Sequence, residues 1–205
     1  MRRSLILQIL LLALCAIGAW SWLAKPWEGW RARPEPTLHI KRFDRILDEY
    51  VSLGSNTALA RMNMEYPTQT KLLIENVLAI GHIDEPDIEK RLRTFYLDST
   101  VQVLLEEVHR QYSDLSDVEA ALHTAFAAEK KRNPSLRMPT FYAQISCLRQ
   151  SIIVADTLIG ISLDKYLGAD FPLYDDYYSA EQRQQMTRDS IASDALRYYL
   201  HTQQR

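Results

Sequence analysis

The five histidines are the first residues to consider for chemistry, because a zinc hydrolase needs two histidines one helical turn apart and a nearby carboxylate. No two of the five have that spacing; they are His39, His82, His109, His123 and His201. The sequence also contains no GxSxG nucleophile phrase, no glycine loop for phosphate and no CxxC pair. We therefore expect no catalytic residue, no metal ligand and no cofactor, and a protein that is not an enzyme.

Several aspartates are the next candidates. Asp170, Asp175 and Asp176 supply the oxygen atoms that calcium prefers, but the alternating ligands and central glycine of a calcium loop are missing. Asp164 directly follows a buried-strand pattern, so it is interpreted either as a pocket carboxylate or, more simply, as a cap at the strand exit. Asp156 lies in a short polar break between two apolar runs, where a turn residue is expected. Asp164 is therefore the polar residue of most interest.

The cysteines and the overall charge exclude two further kinds of site. Cys15 lies in an apolar N-terminal segment and Cys147 lies in the domain, so an anchored form cannot join them in a disulfide. Cys147 is expected to be a small buried residue at a strand end. With 24 basic and 26 acidic side chains and a formal net charge of −2, the protein lacks the basic surface that nucleic-acid binding needs. No small-molecule substrate is indicated.

Residues 1–24 have the composition of a signal anchor or transmembrane helix. Met1-Arg2-Arg3 precedes a run that is apolar from residue 5 to residue 24 except for Gln8 and Ser21, and about 20 apolar residues can cross a bilayer core of roughly 30 Å. Tryptophans, which favour the membrane interface, cluster at the C-terminal end of this run: Trp20, Trp22, Trp27 and Trp30. We expect a single pass through the inner membrane, with the N-terminus inside and the domain in the periplasm.

A lipid-modified or secreted form is the less favoured alternative. The phrase Leu12 to Cys15 contains the cysteine of a lipoprotein signal, but bulky Leu14 stands where a small residue is usual, and apolar residues continue after Cys15. Residues 25–37 are rich in proline and are predicted to form an extended linker to the domain.

A small β-structure is expected within the domain, residues 38–205. Thr140 to Ser146 alternates apolar and polar residues like a half-buried strand, and the apolar runs at 152–154 and 158–163 flank a short turn, as in a β-hairpin. Because a lone two-stranded ribbon is not stable in water, helices must cover it. Amphipathic helical patterns precede and follow it. The fold class is therefore α+β and predominantly helical, with amphipathic helices packed around a small hairpin or sheet.

Capping signals predict several helix boundaries. Ser116 to Glu119 and Ser179 to Gln182 have the spacing of capping boxes. Asp98 is placed to cap the helix that follows it, and Gly54 suits a helix C-terminus. The helical pattern runs to Arg205 without a C-cap, which suggests a domain that is incomplete at its C-terminus.

The phrase LIGISLDKYLG at Leu158 to Gly168, with the Asp- and Tyr-rich loop after it, resembles a motif in the family of the gliding-motility protein GldB of Bacteroidetes. Weaker phrases of that family occur in the same order at Arg42-Phe43-Asp44, at Tyr66-Pro67, at Phe95 to Asp98 and from Leu115 to Lys131. The matching positions of the main motif, to which the resemblance assigns no role, are Gly160, Asp164, Tyr166, Leu167 and Gly168.

The resemblance covers about residues 38–200, the N-terminal and central part of the family domain only; family members are typically lipoproteins with a longer domain. It implies an envelope protein associated with surface motility and its secretion machinery in gliding species, with no catalytic residues to carry over and a fold similar to a degenerate zinc-peptidase domain. We therefore expect a non-enzymatic, membrane-anchored interaction or assembly component with other envelope proteins as partners. The alternatives are a metallopeptidase-like enzyme whose ligands lie in a missing C-terminal part, and a truncated remnant.

Overall fold

The structure, a computed structural model, describes residues 38–203 of the 205-residue protein. This part of the sequence is mostly helical. Its α-helices are α1 (Phe43–Leu53), α2 (Asn56–Glu65), α3 (Pro67–Lys71), α4 (Ile88–Tyr96), α5 (Ser99–Gln111), α6 (Ser116–Arg132), α7 (Ala180–Arg183) and α8 (Ile191–Gln203). A π-helical segment, Leu72–Val77, continues α3, and short 3-10 turns occur at Leu163–Lys165, Pro172–Asp176 and Arg188–Ser190.

A mixed four-stranded sheet lies among these helices. Its strands are β1 (Ile40–Lys41), β2 (Thr140–Gln144), β3 (Ile152–Ala155) and β4 (Leu158–Ser162), in the spatial order β1-β2-β4-β3. β2 is parallel to both of its neighbours, whereas β3 and β4 form the antiparallel hairpin that the sequence predicts. The short parallel strand β1 is not predicted by the sequence pattern.

The sheet is buried on both faces. Phe141 and Tyr142 are neighbours in β2, so their side chains point to opposite faces. Phe141 packs edge-on against Phe126 of α6, whose ring also contacts Tyr199 of α8, while Tyr142 packs against Phe43 of α1. The predicted strand is confirmed over Thr140–Gln144, but the expectation that it is half-buried is wrong, because helices cover both sides and the polar positions Tyr142, Gln144 and Ser146 are buried as well.

Local signals place several helix ends correctly. Gly54 ends α1 in the left-handed conformation, Asp98 caps α5 through the N–H of Thr100, and Ser179 and Gln182 form the predicted capping box of α7. These patterns succeed because their donors and acceptors lie within a few residues of each other.

The predicted capping box at the start of α6 does not form. Asp114, outside the helix, accepts both the backbone N–H and the hydroxyl of Ser116, at 3.2 and 2.6 Å. Glu119 is instead the acceptor for the backbone N–H of Ile40 in β1, at 2.9 Å. The prediction is wrong because each side chain has a competing partner that the four-residue pattern does not include.

The expected signal anchor at 1–24 and the linker at 25–37 lie outside the described residues. Within residues 38–203, no helix has the length and apolar character needed to span a bilayer.

Candidate functional site

The five motif positions follow one another through the end of β4 and the turn after it. Gly160 lies within β4, Asp164 lies in the 3-10 turn that follows the strand, and Tyr166 and Leu167 come next. Asp164, Tyr166 and Leu167 are buried, and Gly168 is half-buried. The motif is therefore part of the interior and does not itself form an open site.

Asp164 binds the backbone of another loop. One carboxylate oxygen accepts the N–H of Ser146 at 2.8 Å and the other accepts the N–H of Leu148 at 2.6 Å, while the Ser146 hydroxyl lies 3.2 Å from the second oxygen. These residues belong to the β2–β3 loop, residues 145–151. Cys147 and Leu148 have positive φ values of 54° and 64°, a conformation that is rare for residues with a side chain. Asp164 thus holds a strained loop in place.

The environment of Asp164 has two opposing effects on its pKa. Complete burial raises the pKa of the carboxyl above its ordinary value, and the N–H donors of Leu148 and Ser146 oppose that rise. The three groups that contact the carboxylate are all hydrogen-bond donors, as an ionised group requires. Of the two interpretations from sequence, the pocket carboxylate is wrong, because the group is fully enclosed. Asp164 is a cap for a loop and not for its own helix or turn.

Buried tyrosine hydroxyls hold the main chain of the motif. Tyr174 donates to the carbonyl of Asp164 at 2.6 Å and accepts the N–H of Leu167 at 2.9 Å. Tyr112 donates to the carbonyl of Tyr166, whose own hydroxyl lies 3.0 Å from the carboxylate of Asp194. The Asp- and Tyr-rich loop therefore contributes hydrogen bonds that keep the segment after β4 in one conformation.

Gly160 is required by a close approach. Its partner across the sheet is Tyr142, and a Cβ added at Gly160 would lie 2.5 Å from the phenol ring and from the hydroxyl oxygen. The ring of Tyr142 also packs against Phe43, which in turn contacts Tyr66. The main motif and the phrases that begin at Arg42 and Tyr66 thus meet in one part of the core.

A groove lies beside the β2–β3 loop, near the carboxyl ends of the parallel strands β2 and β4. It has a volume of about 700 Å³. Its walls are formed by the end of α4 and the start of α5, from Thr94 to Leu104; by Cys147, Leu148 and Arg149; and by Tyr177 and Tyr178. It brings aromatic, charged and thiol side chains together. The groove is therefore our candidate functional site.

The motif supports one wall of the groove from beneath. Leu148 is held through its N–H by Asp164 and through its carbonyl by the Tyr178 hydroxyl at 2.6 Å. The ammonium of Lys165 lies 2.7 Å from the Tyr178 hydroxyl and 4.1 Å from the centre of its ring. Burial lowers the pKa of Lys165 and raises the pKa of Tyr178 to about 12. At neutral pH, Tyr178 therefore keeps the proton that it donates to Leu148.

The groove contains one thiol and two exposed charges. Cys147 is half-buried, and burial raises the pKa of its thiol well above the usual range, so that it is protonated and a poor nucleophile at neutral pH. The guanidinium of Arg149 lies 5.6 Å from the centre of the Phe95 ring. Asp98 accepts the N–H of Thr100 at 2.9 Å as the cap of α5. These groups suit binding better than covalent catalysis.

The other candidates from sequence lie apart from the groove lining. The histidines are on separate segments, and no cluster of three or more His, Cys, Asp or Glu side chains that could hold a metal occurs within residues 38–203. Asp175 forms an ion pair with Arg183, and Asp156 occupies the β3–β4 turn with φ 52° and pairs with Arg137. The expected turn role of Asp156 is confirmed.

Sequence reasoning missed the groove residues Phe95, Arg149 and Tyr177. Phe95 belongs to a recognised phrase, but nothing local indicates that the end of α4, the β2–β3 loop and the loop before α7 converge. In the sequence, only the order of the family phrases hints that these segments belong together.

Comparison with known proteins identifies one relationship. The family model described as gliding motility protein GldB matches residues 31–205, which is most of the sequence. No curated protein and no solved structure matches the sequence. The extent of the family match confirms the resemblance inferred from the motif at Leu158 to Gly168. The chain belongs to the family of the gliding motility protein GldB.

Proposed function

We propose that this protein is a non-enzymatic, membrane-anchored component of the bacterial envelope that binds other envelope proteins in gliding motility or in the secretion machinery supporting it. The family match supports the link to gliding motility. The anchor at 1–24, the inner-membrane location and the periplasmic position of the domain are part of the proposal and rest on sequence.

One observation carries the binding role. Two family phrases contribute to the same groove: Phe95 and Asp98 line it directly, and the buried Asp164 of the main motif fixes the loop that forms another wall. The groove presents aromatic and arginine side chains, which are enriched in the energetically important parts of protein interfaces. Tyr177 is 57% exposed at its edge. No observation on residues 38–203 favours the metallopeptidase-like alternative.

Site-specific photo-crosslinking in intact cells of the native host tests the binding role. A photoreactive phenylalanine analogue at Tyr177 is expected to give discrete adducts with envelope proteins. The same analogue at Tyr198, an exposed tyrosine of α8 that does not line the groove, is the matched control and is expected to give few. Equal adduct patterns at both positions, or none at Tyr177 in a folded protein, would contradict the proposal.

Protease treatment of spheroplasts tests the location. Degradation of the domain from outside, with intact cytosolic markers, is expected. A domain that resists protease until the inner membrane is broken would rule the location out.

A further inference from the structure

The lining of the groove indicates what kind of group it accepts. Val101 and Leu104 provide a buried apolar surface, and Phe95 and Tyr177 add aromatic rings. Its volume of about 700 Å³ lies within the range of sites for compact ligands, roughly 300–1,000 Å³. A peptide segment of a few residues is of this size. The apolar lining therefore suits a peptide segment that carries an aromatic or aliphatic side chain.

The charged side chains around the groove differ in how far neighbouring groups neutralise them. Asp98 lies at the N-terminus of α5, where the positive end of the helix dipole offsets its charge. Lys165 is adjacent in sequence to the buried Asp164, and its ammonium is directed to the Tyr178 hydroxyl. Arg149 forms no ion pair with any side chain in the described part of the protein. An exposed positive charge is thus left at the groove.

Arg149 also has the geometry to recognise a carboxylate. A guanidinium is planar, so one that lies over an aromatic ring keeps its N–H edges available for two parallel hydrogen bonds to a carboxylate. The Arg149 guanidinium lies over the Phe95 ring, with its central carbon 5.6 Å from the ring centre. Asp164 fixes the preceding residue, Leu148, and so limits the conformational entropy that the wall loses when a ligand binds.

We propose that the groove binds a segment of a partner polypeptide in which an aromatic or aliphatic side chain stands beside a carboxylate, and that Arg149 selects the carboxylate. This inference rests on the proposed binding function. The carboxylate is the C-terminal one of the partner polypeptide, because a C-terminal residue carries its side chain and its carboxylate on the same Cα and can present both to one groove.

Two small probes that differ only in charge test the proposal. N-acetylphenylalanine carries the carboxylate, and N-acetylphenylalaninamide is its neutral counterpart. Each is titrated by NMR into the protein in lipid nanodiscs. Ligands of this size are expected to bind with dissociation constants on the order of 1 mM. We expect the acid to bind about three- to tenfold more tightly than the amide, the range for a charge-assisted contact in a partly exposed site.

The role of Arg149 is tested by the same substitution at two positions. Arg149→Gln is expected to abolish the preference for the acid. Arg137→Gln is the matched control, because Arg137 is an exposed arginine that pairs with Asp156 and does not line the groove.

Equal binding of acid and amide to the unsubstituted protein, or a preference that persists in Arg149→Gln, would overturn the inference. Crosslinking at Tyr177 in cells is independent of these probes. If it succeeds while the acid preference fails, the binding function stands and only the ligand class is wrong.

Discussion

The two oxygens of the Asp164 carboxylate each accept a backbone N–H from the β2–β3 loop. In Asp164→Asn, an amide NH2 must face one of these donors, which leaves a buried N–H unpaired. We expect the free energy of unfolding to fall by about 1–3 kcal/mol in urea titrations. Asp156→Asn is the control: this residue is exposed with φ 52°, a conformation that asparagine tolerates, and a change below about 0.5 kcal/mol is expected. Equal losses in the two variants would contradict the loop-capping role.

Gly160 and Tyr142 offer a double-mutant test of the close approach across the sheet. Gly160→Ala forces a methyl group against the buried phenol ring and is expected to cost about 1–3 kcal/mol. With Tyr142→Leu already present, the same substitution should cost less, and the coupling should be about 1–2 kcal/mol in equilibrium unfolding. Gly168→Ala is the comparison, since its Cβ would meet no atom within 4 Å and its cost comes from φ 108°. Its effect should be additive with Tyr142→Leu; a coupling equal to that of Gly160 would refute the steric explanation.

At the scale of elements, Arg188 joins the start of α8 to the turn between α5 and α6. Its guanidinium makes two hydrogen bonds to the Asp117 carboxylate, at 2.6 and 2.7 Å, and two to the carbonyls of Gln111 and Asp114. It also lies 4.6 Å from the centre of the Tyr112 ring. This contact fixes α8 against the helices that border the motif.

The Arg188 contact predicts a pH dependence. Hydrogen bonding to Arg188 holds the pKa of Asp117 below its usual range, so the pair stabilises the fold above about pH 4 and loses its effect as the pH falls through the folded-state pKa. Because Asp117 is 59% exposed, we expect less than about 1 kcal/mol. Urea unfolding of the wild type and Asp117→Asn should differ at pH 7 and converge toward pH 3. In a protein that already carries Arg188→Gln, Asp117→Asn should no longer alter the pH dependence of stability. If Asp117→Asn has the same effect with and without Arg188, the pH dependence comes from another partner of Asp117.

The elements that sequence predicts correctly depend on short-range patterns, and those that it misses depend on distant partners. The β3–β4 hairpin follows from two apolar runs around Asp156, and α5 follows from Asp98 and the residues after it. Glu119 was misassigned because its partner, Ile40, lies 79 residues away. The same limit applies to the site. The importance of Asp164 was visible in the motif, but its partners lie 16 and 18 residues earlier, and no local pattern connects Arg149 with Phe95.

At the scale of the whole molecule, the core is rich in tyrosine. Burial raises the pKa of the tyrosines that hold the motif and its surroundings: Tyr96, Tyr112, Tyr142, Tyr166 and Tyr174. In the unfolded protein a tyrosine ionises near pH 10. The folded state therefore binds more protons than the unfolded state above that pH, and its stability must fall as the pH rises.

An alkaline titration tests this dependence. The tyrosinate absorbance of the buried rings should appear together with the loss of far-ultraviolet circular dichroism, because these rings ionise only when the core opens. Titration of all eleven tyrosines while the helical signal stays intact would show that the rings are accessible in the folded protein.

The distribution of the aromatic residues has a practical consequence. All eleven tyrosines lie in the part of the sequence that the structure describes, and all four tryptophans lie in residues 1–37. Indole emission therefore reports on the N-terminal segment alone, and phenol signals report on the domain alone. The proposed insertion of residues 1–24 into a bilayer and the folding of the domain can thus be followed as separate optical events in one unlabelled sample.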